Sequence, residues 1–421
     1  VGLHSQPAGG ITRRQATCKN RDRDSGIALI AFSVSCFLFA PPSEFHNRHS
    51  GIDMSLLTIA SPEQCGLNPQ RWNVALDVAR HWAERDDRVP AVALLAGRCG
   101  MTPGPRCFGR QHVEAKSPPI HNDAIFLVAS ITKPIVVMGA MLLVERGQLT
   151  LNDRVADYIP EFGKKGKYGT TIRNLMTHTS GLPDMLPNNV DLRKAKATLA
   201  DFVSETCGIT PDFPPGRSVQ YQSMGTAVLA AIMEQVSGMS CAEFLRQEFF
   251  RPLGMHDTRL GAPDEWYTGQ QPTIHRVAEI RVPEEQIGAD WNWNSRYWQQ
   301  LGAPWGGLLT TPLDLGQFAQ LMLNRGRIAN QQILSTATIA ASTDNQLISM
   351  KDVPEEDRRF RPWGLGWRLQ WASHANTFGD LVSPRTYGHW GATGTMLWVD
   401  PDRESFALIL STQPLEQNGA P

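Results

Sequence analysis

The chain has 421 residues, 41% of them hydrophobic and 19% charged, and a formal net charge of −1. That balance suits a globular protein of one large or two interlocked domains, and it lacks the basic excess or long charge block of a nucleic-acid binder. None of the seven cysteines forms a Cys-x-x-Cys pair, which argues against a structural zinc site.

Residues 1–54 read as an extension outside the folded domain. Ile27 to Ala40 is mostly apolar, precedes Pro41-Pro42, and has the length of a signal-peptide core rather than of a transmembrane helix. Arg13, Arg14, Lys19 and Arg21 suit a signal; the distance from the N-terminus and the nearby Asp22 and Asp24 do not. Met54 opens a stretch that could itself be a start. Two readings therefore stand: export through residues 27–40, or a cytoplasmic protein translated from near Met54. Neither expects stable membrane insertion.

Asn68 to Glu84 has helical periodicity, with Trp72, Leu76, Ala79 and Ala83 on one face. Val89 to Ala96 reads as a buried strand, residues 97–106 as a loop, and Cys107 to Val113 as the paired strand. Cys99 and Cys107 flank the turn-rich Gly100-Met101-Thr102-Pro103-Gly104-Pro105. They could form a disulfide across a hairpin in an oxidising compartment; the reduced pair is the preferred reading.

Ala124 to Ala129 is apolar, Ser130-Ile131-Thr132-Lys133-Pro134 follows, and a second apolar run from Ile135 to Val144 closes at Glu145-Arg146-Gly147. This is extended chain, a turn and a buried helix. Ser130 falls at the helix start and Lys133 one turn along on the same face. Pro134 is tolerated there because first-turn N–H groups have no intrahelical partner. A serine hydroxyl needs a nearby base to become a nucleophile, and a lysine serves if its pKa is lowered. Taken alone, the spacing fits a capping serine beside a solvated lysine better than it fits a catalytic pair.

Farther on, Asn152-Asp153 caps a short helix stopped by Pro160, and Thr171 to Leu182 reads as a short helix ending in a polar turn at Gly181. His178 reads as a structural residue bonding that turn. Tyr221 and Ser223 project from a loop at the mouth of a helix running from about Met224 to Val236. A second helix covers Cys241 to Phe250. Residues 260–300 are irregular, and Trp291, Trp293, Tyr297 and Trp298 there suggest a binding loop with exposed aromatics. Thr311 caps a helix with Pro312 in its first turn, running to about Asn324. Residues 363–370, 386–391, 395–399 and 406–411 read as strands.

The pattern implies an α/β (α+β) fold. One antiparallel sheet is built from both ends of the folded region, residues 55–125 and 300–415, flanked by helices, with an inserted all-helical part over 126–299. The Ser130 helix lies where the two meet, a usual place for a site.

Six stretches now agree in order and spacing: Ser130-Ile131-Thr132-Lys133; Asn174 to Leu182; Tyr221-Gln222-Ser223; Pro252-Leu253-Gly254-Met255; Gly306 to Leu315; and His389-Trp390-Gly391-Ala392-Thr393-Gly394. From about Pro62 to Thr412 the chain resembles the serine β-lactamase-related family, which includes class C β-lactamases, D-alanyl-D-alanine carboxypeptidases and esterases of the family VIII type. The resemblance implies a β-lactamase/transpeptidase-like fold and an acyl-enzyme on Ser130. Lys133 would assist deprotonation. Tyr221 would be general base and then acid, through a phenol pKa lowered by neighbouring cations. The backbone N–H groups of Ser130 and Ala392 would form the oxyanion hole. Ser223, His389, Trp390 and Gly391 would contact substrate. The family needs no metal or organic cofactor.

Departures bear on the substrate. Ser223 stands where class C enzymes carry asparagine, His389 where they carry lysine, and Trp390 where a small hydroxyl residue is usual. A mostly neutral histidine weakens recognition of a free carboxylate. The expectation is a small-molecule ester or peptide substrate and no nucleic acid, with esterase-like activity ahead of efficient β-lactam hydrolysis. D-alanyl-D-alanine carboxypeptidase, penicillin-binding or β-lactamase activity is the alternative, and a non-catalytic binding module of the same fold a third reading. The helix that usually follows the last strand in the family is either missing or replaced here, where the sequence runs Leu415-Glu416-Gln417-Asn418-Gly419-Ala420-Pro421; if missing, one sheet face would be exposed.

Overall fold

The computed structural model describes residues 57–370 and 378–415; the apolar run 27–40 and the start near Met54 lie outside them. In chain order the strands are β1 (Thr58–Ile59), β2 (Ala91–Arg98), β3 (Met101–Thr102), β4 (Arg106–Gly109), β5 (Phe126–Leu127), β6 (Arg259–Leu260), β7 (Leu308–Thr310), β8 (Arg327–Ile328), β9 (Gln331–Gln332), β10 (Arg368–Leu369), β11 (Tyr387–Gly391), β12 (Thr395–Asp400) and β13 (Ser405–Ser411). The main sheet has the order β1-β3-β2-β13-β12-β11-β10, with β4 also on β2. All its pairings are antiparallel except the parallel β1–β3 edge. Ser405 to Ser411 pairs with Arg98 to Val92, so the two ends of the folded region meet in the middle of the sheet.

Period-two alternation decides what each sheet face does. Ala91, Ala93, Leu95, Leu397, Val399, Phe406, Leu408 and Leu410 point into the main core. Val92, Leu94, Ala96, Met396, Trp398, Ala407 and Ile409 point the other way and are buried with Trp72, Leu76, Ala79 and Trp82 of the helix Pro69–Glu84. Asn68 caps that helix by accepting from the Arg71 N–H. Phe378 belongs to the same cluster. This sheet face is covered: Met396 and Trp398 are buried against the helix Pro69–Glu84.

On the inner face lies the helix Thr132–Glu145, every residue of which from Thr132 to Leu143 is buried. A helix apolar on all sides belongs in the interior. It packs against Met224–Ser237, and Gly139 admits that contact because a Cβ there would meet Leu245 and Met233 at 2.8 Å.

Some local expectations need correction. The inserted part is not all helical, because β5 and β6 within it both pair with β7. Asp153 caps no helix; it accepts from the Thr150 N–H at 2.8 Å, and Arg154 occupies the N-cap of Val155–Tyr158. Residues 363–370 form strand only over Arg368–Leu369. Cys107 faces Ala93 across the β2–β4 pair, and Cys99 and Cys107 are free thiols.

Candidate active site

The chain enters the site through a strained corner. Ala129 has a φ of 46°, a left-handed conformation uncommon for a residue with a Cβ. A short 3-10 turn, Ala129–Ile131, then feeds the buried helix. Side-chain bonds from the β11–β12 hairpin and from the start of the following helix hold the corner. Thr393 Oγ1 donates to the Leu127 carbonyl at 2.8 Å, Thr395 Oγ1 to that of Val128 at 2.9 Å, and Thr132 Oγ1 to that of Ala129 at 2.6 Å. Ser130 is half-buried at the lip.

Lys133 is only 1% exposed. Its Nζ lies 2.9 Å from Ser130 Oγ, 2.9 Å from the Trp305 carbonyl oxygen, and 4.8 Å from the centre of the Tyr221 ring. Burial pulls its pKa from 10.5 to about 7, with the Asp184 carboxylate opposing. The lysine is therefore a base poised at neutral pH.

Tyr221 behaves oppositely to expectation. Its phenol pKa is pushed up, chiefly by burial and then by the Asp184 carboxylate; Ser130 and Arg368 oppose too weakly to reverse it. The phenol therefore stays neutral and protonated near pH 7.

The segment after Tyr221 is pinned by the stretch 174–184. The His178 carbonyl accepts from the Gln220 N–H at 2.9 Å and its Nδ1 from the Gln222 N–H at 3.2 Å. Gln222 is fully buried; it donates to the Leu175 carbonyl at 3.0 Å and accepts from Ser180 Oγ. Gly181 makes this possible: its φ is 78°, and a Cβ there would sit 2.1 Å from the Phe213 carbonyl oxygen. Ser223 Oγ donates to Asp184 Oδ1 at 2.6 Å, so this hydroxyl is committed to a neighbouring carboxylate. The structural reading of His178 agrees with these bonds, and its ring also packs on Tyr221 at 4.8 Å and Trp363 at 4.3 Å.

The strand β11 runs alongside the corner. A Cβ on Gly391 would lie 2.2 Å from the Val128 carbonyl oxygen, so only glycine allows β11 to approach the Ala129–Ile131 turn this closely. Among the described residues β10 pairs with β11 only at Tyr387 and Gly388, not along His389–Gly391. His389 is 0% exposed and packs behind Tyr221 at 5.8 Å. Its Nδ1 is bonded to the Trp390 carbonyl at 2.6 Å, and burial with nearby Lys133 lowers its pKa well below 6.5. The ring is neutral and out of substrate reach. Trp390 packs on Phe378 and on Arg368, whose Cζ is 3.2 Å from a Trp390 ring centre. The His389 side chain is thus enclosed by its neighbours, whereas Trp390 keeps a partly exposed face.

Sequence reasoning missed Asp184, Trp363, Arg368 and the Trp305 carbonyl. It also expected exposed aromatics over 260–300; instead Trp298 is buried, 6.4 Å from Trp305, with the Arg193 guanidinium 4.4 Å from its ring. That loop lines a depression of about 850 Å³ with Val113 and Lys196, and none of Ser130, Lys133, Tyr221, Ser223 or His389 is in its walls. No group of three or more His, Cys, Asp and Glu able to hold a metal converges among the described residues, and none of their helices alone is long and apolar enough to cross a membrane.

Sheet, helical region and buried Ser-x-x-Lys pair together define a serine hydrolase of the β-lactamase/transpeptidase fold. The chain belongs to the β-lactamase family, whose model, described as Beta-lactamase, matches residues 78–420. A protein of Salmonella enteritidis PT4 (strain P125109), provisionally named a D-alanyl-D-alanine carboxypeptidase, is 28% identical over 92% of this chain and 90% of its own length. The fold is shared with a penicillin-binding protein homologue from Caulobacter crescentus (TM-score 0.65, 20% identity, 81% of this chain and 91% of that one). It is shared equally with a family VIII carboxylesterase (TM-score 0.65, 20% identity, 80% and 91%).

Proposed function

We propose that this protein hydrolyses an ester by acyl transfer through Ser130, with Lys133 as base and Tyr221 as acid. The observation that carries the reading is the fully buried Lys133 amine 2.9 Å from Ser130 Oγ with a pKa near 7. As Ser130 Oγ bonds to the acyl carbon, its proton passes to neutral Lys133 Nζ. The carbonyl oxygen takes up the electron pair between the Ser130 and Ala392 N–H groups, each such donor being worth about 3 kcal/mol. Collapse expels the leaving alkoxide, which takes the Tyr221 phenolic proton, and the Lys133 ammonium restores it. Water then attacks the acyl-enzyme by the same relay in reverse.

Esters are favoured over β-lactams and D-alanyl peptides because His389, Lys133 and Arg368, the basic side chains described around Tyr221, are all buried and offer little to a substrate carboxylate. His389 is buried and neutral, and Arg368 lies 6% exposed beneath Trp390. The carboxypeptidase reading keeps one support in the curated relatives. Initial rates on a short-chain aryl ester, a chromogenic cephalosporin and a D-Ala-D-Ala peptide test the choice, with the ester expected fastest. Fluorophosphonate labelling is expected in the wild type and lost in Ser130→Ala. An unlabelled wild type that turns over none of the three would leave only the binding-module reading.

A further inference from the structure

The charge that a bound substrate would meet at Ser130 is set by one carboxylate. Asp184 is exposed, and among the described residues it enters no ion pair, unlike Asp87, Asp257 or Asp264. Its position is nonetheless fixed. Ser223 Oγ donates to Oδ1 at 2.6 Å and the Ser223 N–H to the Asp184 carbonyl at 3.1 Å, which holds the carboxylate two residues from Tyr221. It is close enough to act on both Lys133 and Tyr221. The cations nearby cannot mask it from a ligand. Lys133 is 1% exposed and engaged with Ser130 and Trp305, Arg368 is covered by Trp390, and His389 is buried.

We propose that Asp184 is the specificity residue of the acyl site and selects substrates bearing a cationic amine beside the scissile carbonyl, such as esters and amides of amino acids with a free α-ammonium group. The inference rests on the acyl-transfer reading and narrows its substrate class. An ammonium placed within a few ångströms of a fixed carboxylate gains an attraction that a neutral isostere lacks, and a carboxylate in the same place is repelled. The bond to Ser223 supplies preorganisation, since the carboxylate need not be ordered when substrate arrives.

The test compares benzyl esters of alanine (both enantiomers), isobutyrate and methylmalonate, in which ammonium, methyl and carboxylate occupy one position. The ammonium ester is expected to exceed the methyl ester by about tenfold in kcat/KM, with the carboxylate ester last. Asp184→Asn keeps an acceptor for Ser223 and is expected to bring the ammonium-to-methyl ratio close to one; Asp184→Glu should retain most of the preference. Taking the ratio cancels any effect of the substitution on Lys133 itself. An unchanged ratio in Asp184→Asn, or a carboxylate ester turned over fastest, overturns the proposal; the second result would point to Arg368 instead. Hydrolysis of the isobutyrate ester, lost in Ser130→Ala, checks the acyl-transfer reading separately. Should no ester be turned over, calorimetric binding of alaninamide and isobutyramide to Ser130→Ala, with and without Asp184→Asn, reads the same ratio, and equal affinities would overturn the inference.

Discussion

Lys133 and Tyr221 show how burial divides two proton carriers. Each is denied its charged form, so the amine becomes a base near neutrality and the phenol keeps its proton. The sign of the pH dependence follows. Acylation needs neutral Lys133, so kcat/KM on a neutral ester should rise with pH through about 7 and then level off, since Tyr221 titrates well above that range. His389 is already neutral and buried, so His389→Gln should leave the position of this limb unchanged between pH 5 and 8. A limb that moves with His389→Gln, or is missing, would contradict the assignment. The Ser130–Lys133 pair was legible in the sequence because it is local, a single helical turn. Burial of the lysine was not, because the carbonyl that accepts from its amine belongs to Trp305, 172 residues away. The protonation state of Tyr221 was not legible, because it is set first by burial and then by Asp184, a residue with no motif of its own.

Two elements cooperate to present these groups, and both work by close approach. The stretch 174–184 clamps 220–223 through His178, Gln222 and Asp184, and β11 closes on the Ser130 corner at Gly391. Gly391→Ala would put a Cβ 2.2 Å from the Val128 carbonyl oxygen. Strand and corner must separate, moving Ala392 from the developing oxyanion. The expected result is a fall of about 10²-fold in kcat, with a stability cost of about 1–3 kcal/mol. Steady-state kinetics and a urea melt measure the two. Full activity in Gly391→Ala would remove the Ala392 N–H from the oxyanion hole. Helix positions were the most legible elements: Asn68, Thr171 and Thr311 all accept from N–H groups in first turns, which is local chemistry. The short strands β5, β6 and β10 were hidden or overextended, because two paired residues leave no periodicity to read.

Across the whole molecule, the buried lysine is a cost that the rest of the fold offsets. In the unfolded chain it titrates near 10.5, in the folded one near 7. Between these values the unfolded state binds more protons, so this group makes stability rise with pH; below about 7 its cost is fully present. At about 1.4 kcal/mol per pH unit the gap sets an upper bound of ~5 kcal/mol. Lys133→Met should abolish turnover. It should also gain on the wild type at pH 6, an advantage that shrinks as pH rises from 7 to 10; parallel unfolding curves at all three values would refute this. The two-part architecture was legible because turn-bounded apolar runs sit at both ends and helical periodicity between them. The order of strands was not, since it depends on pairings such as the Ala91 N–H with Thr412 Oγ1, separated by 321 residues. That central seam of β2 and β13 has a temporal consequence. A ribosome makes Ser130 and Lys133 long before β11, β12 and β13, so the nascent chain carries a nucleophile with neither an oxyanion partner nor a sheet to close over it. Chemical reactivity at Ser130 should therefore switch on only near the end of synthesis, and covalent labelling of stalled chains of graded length would time when the seam zips shut.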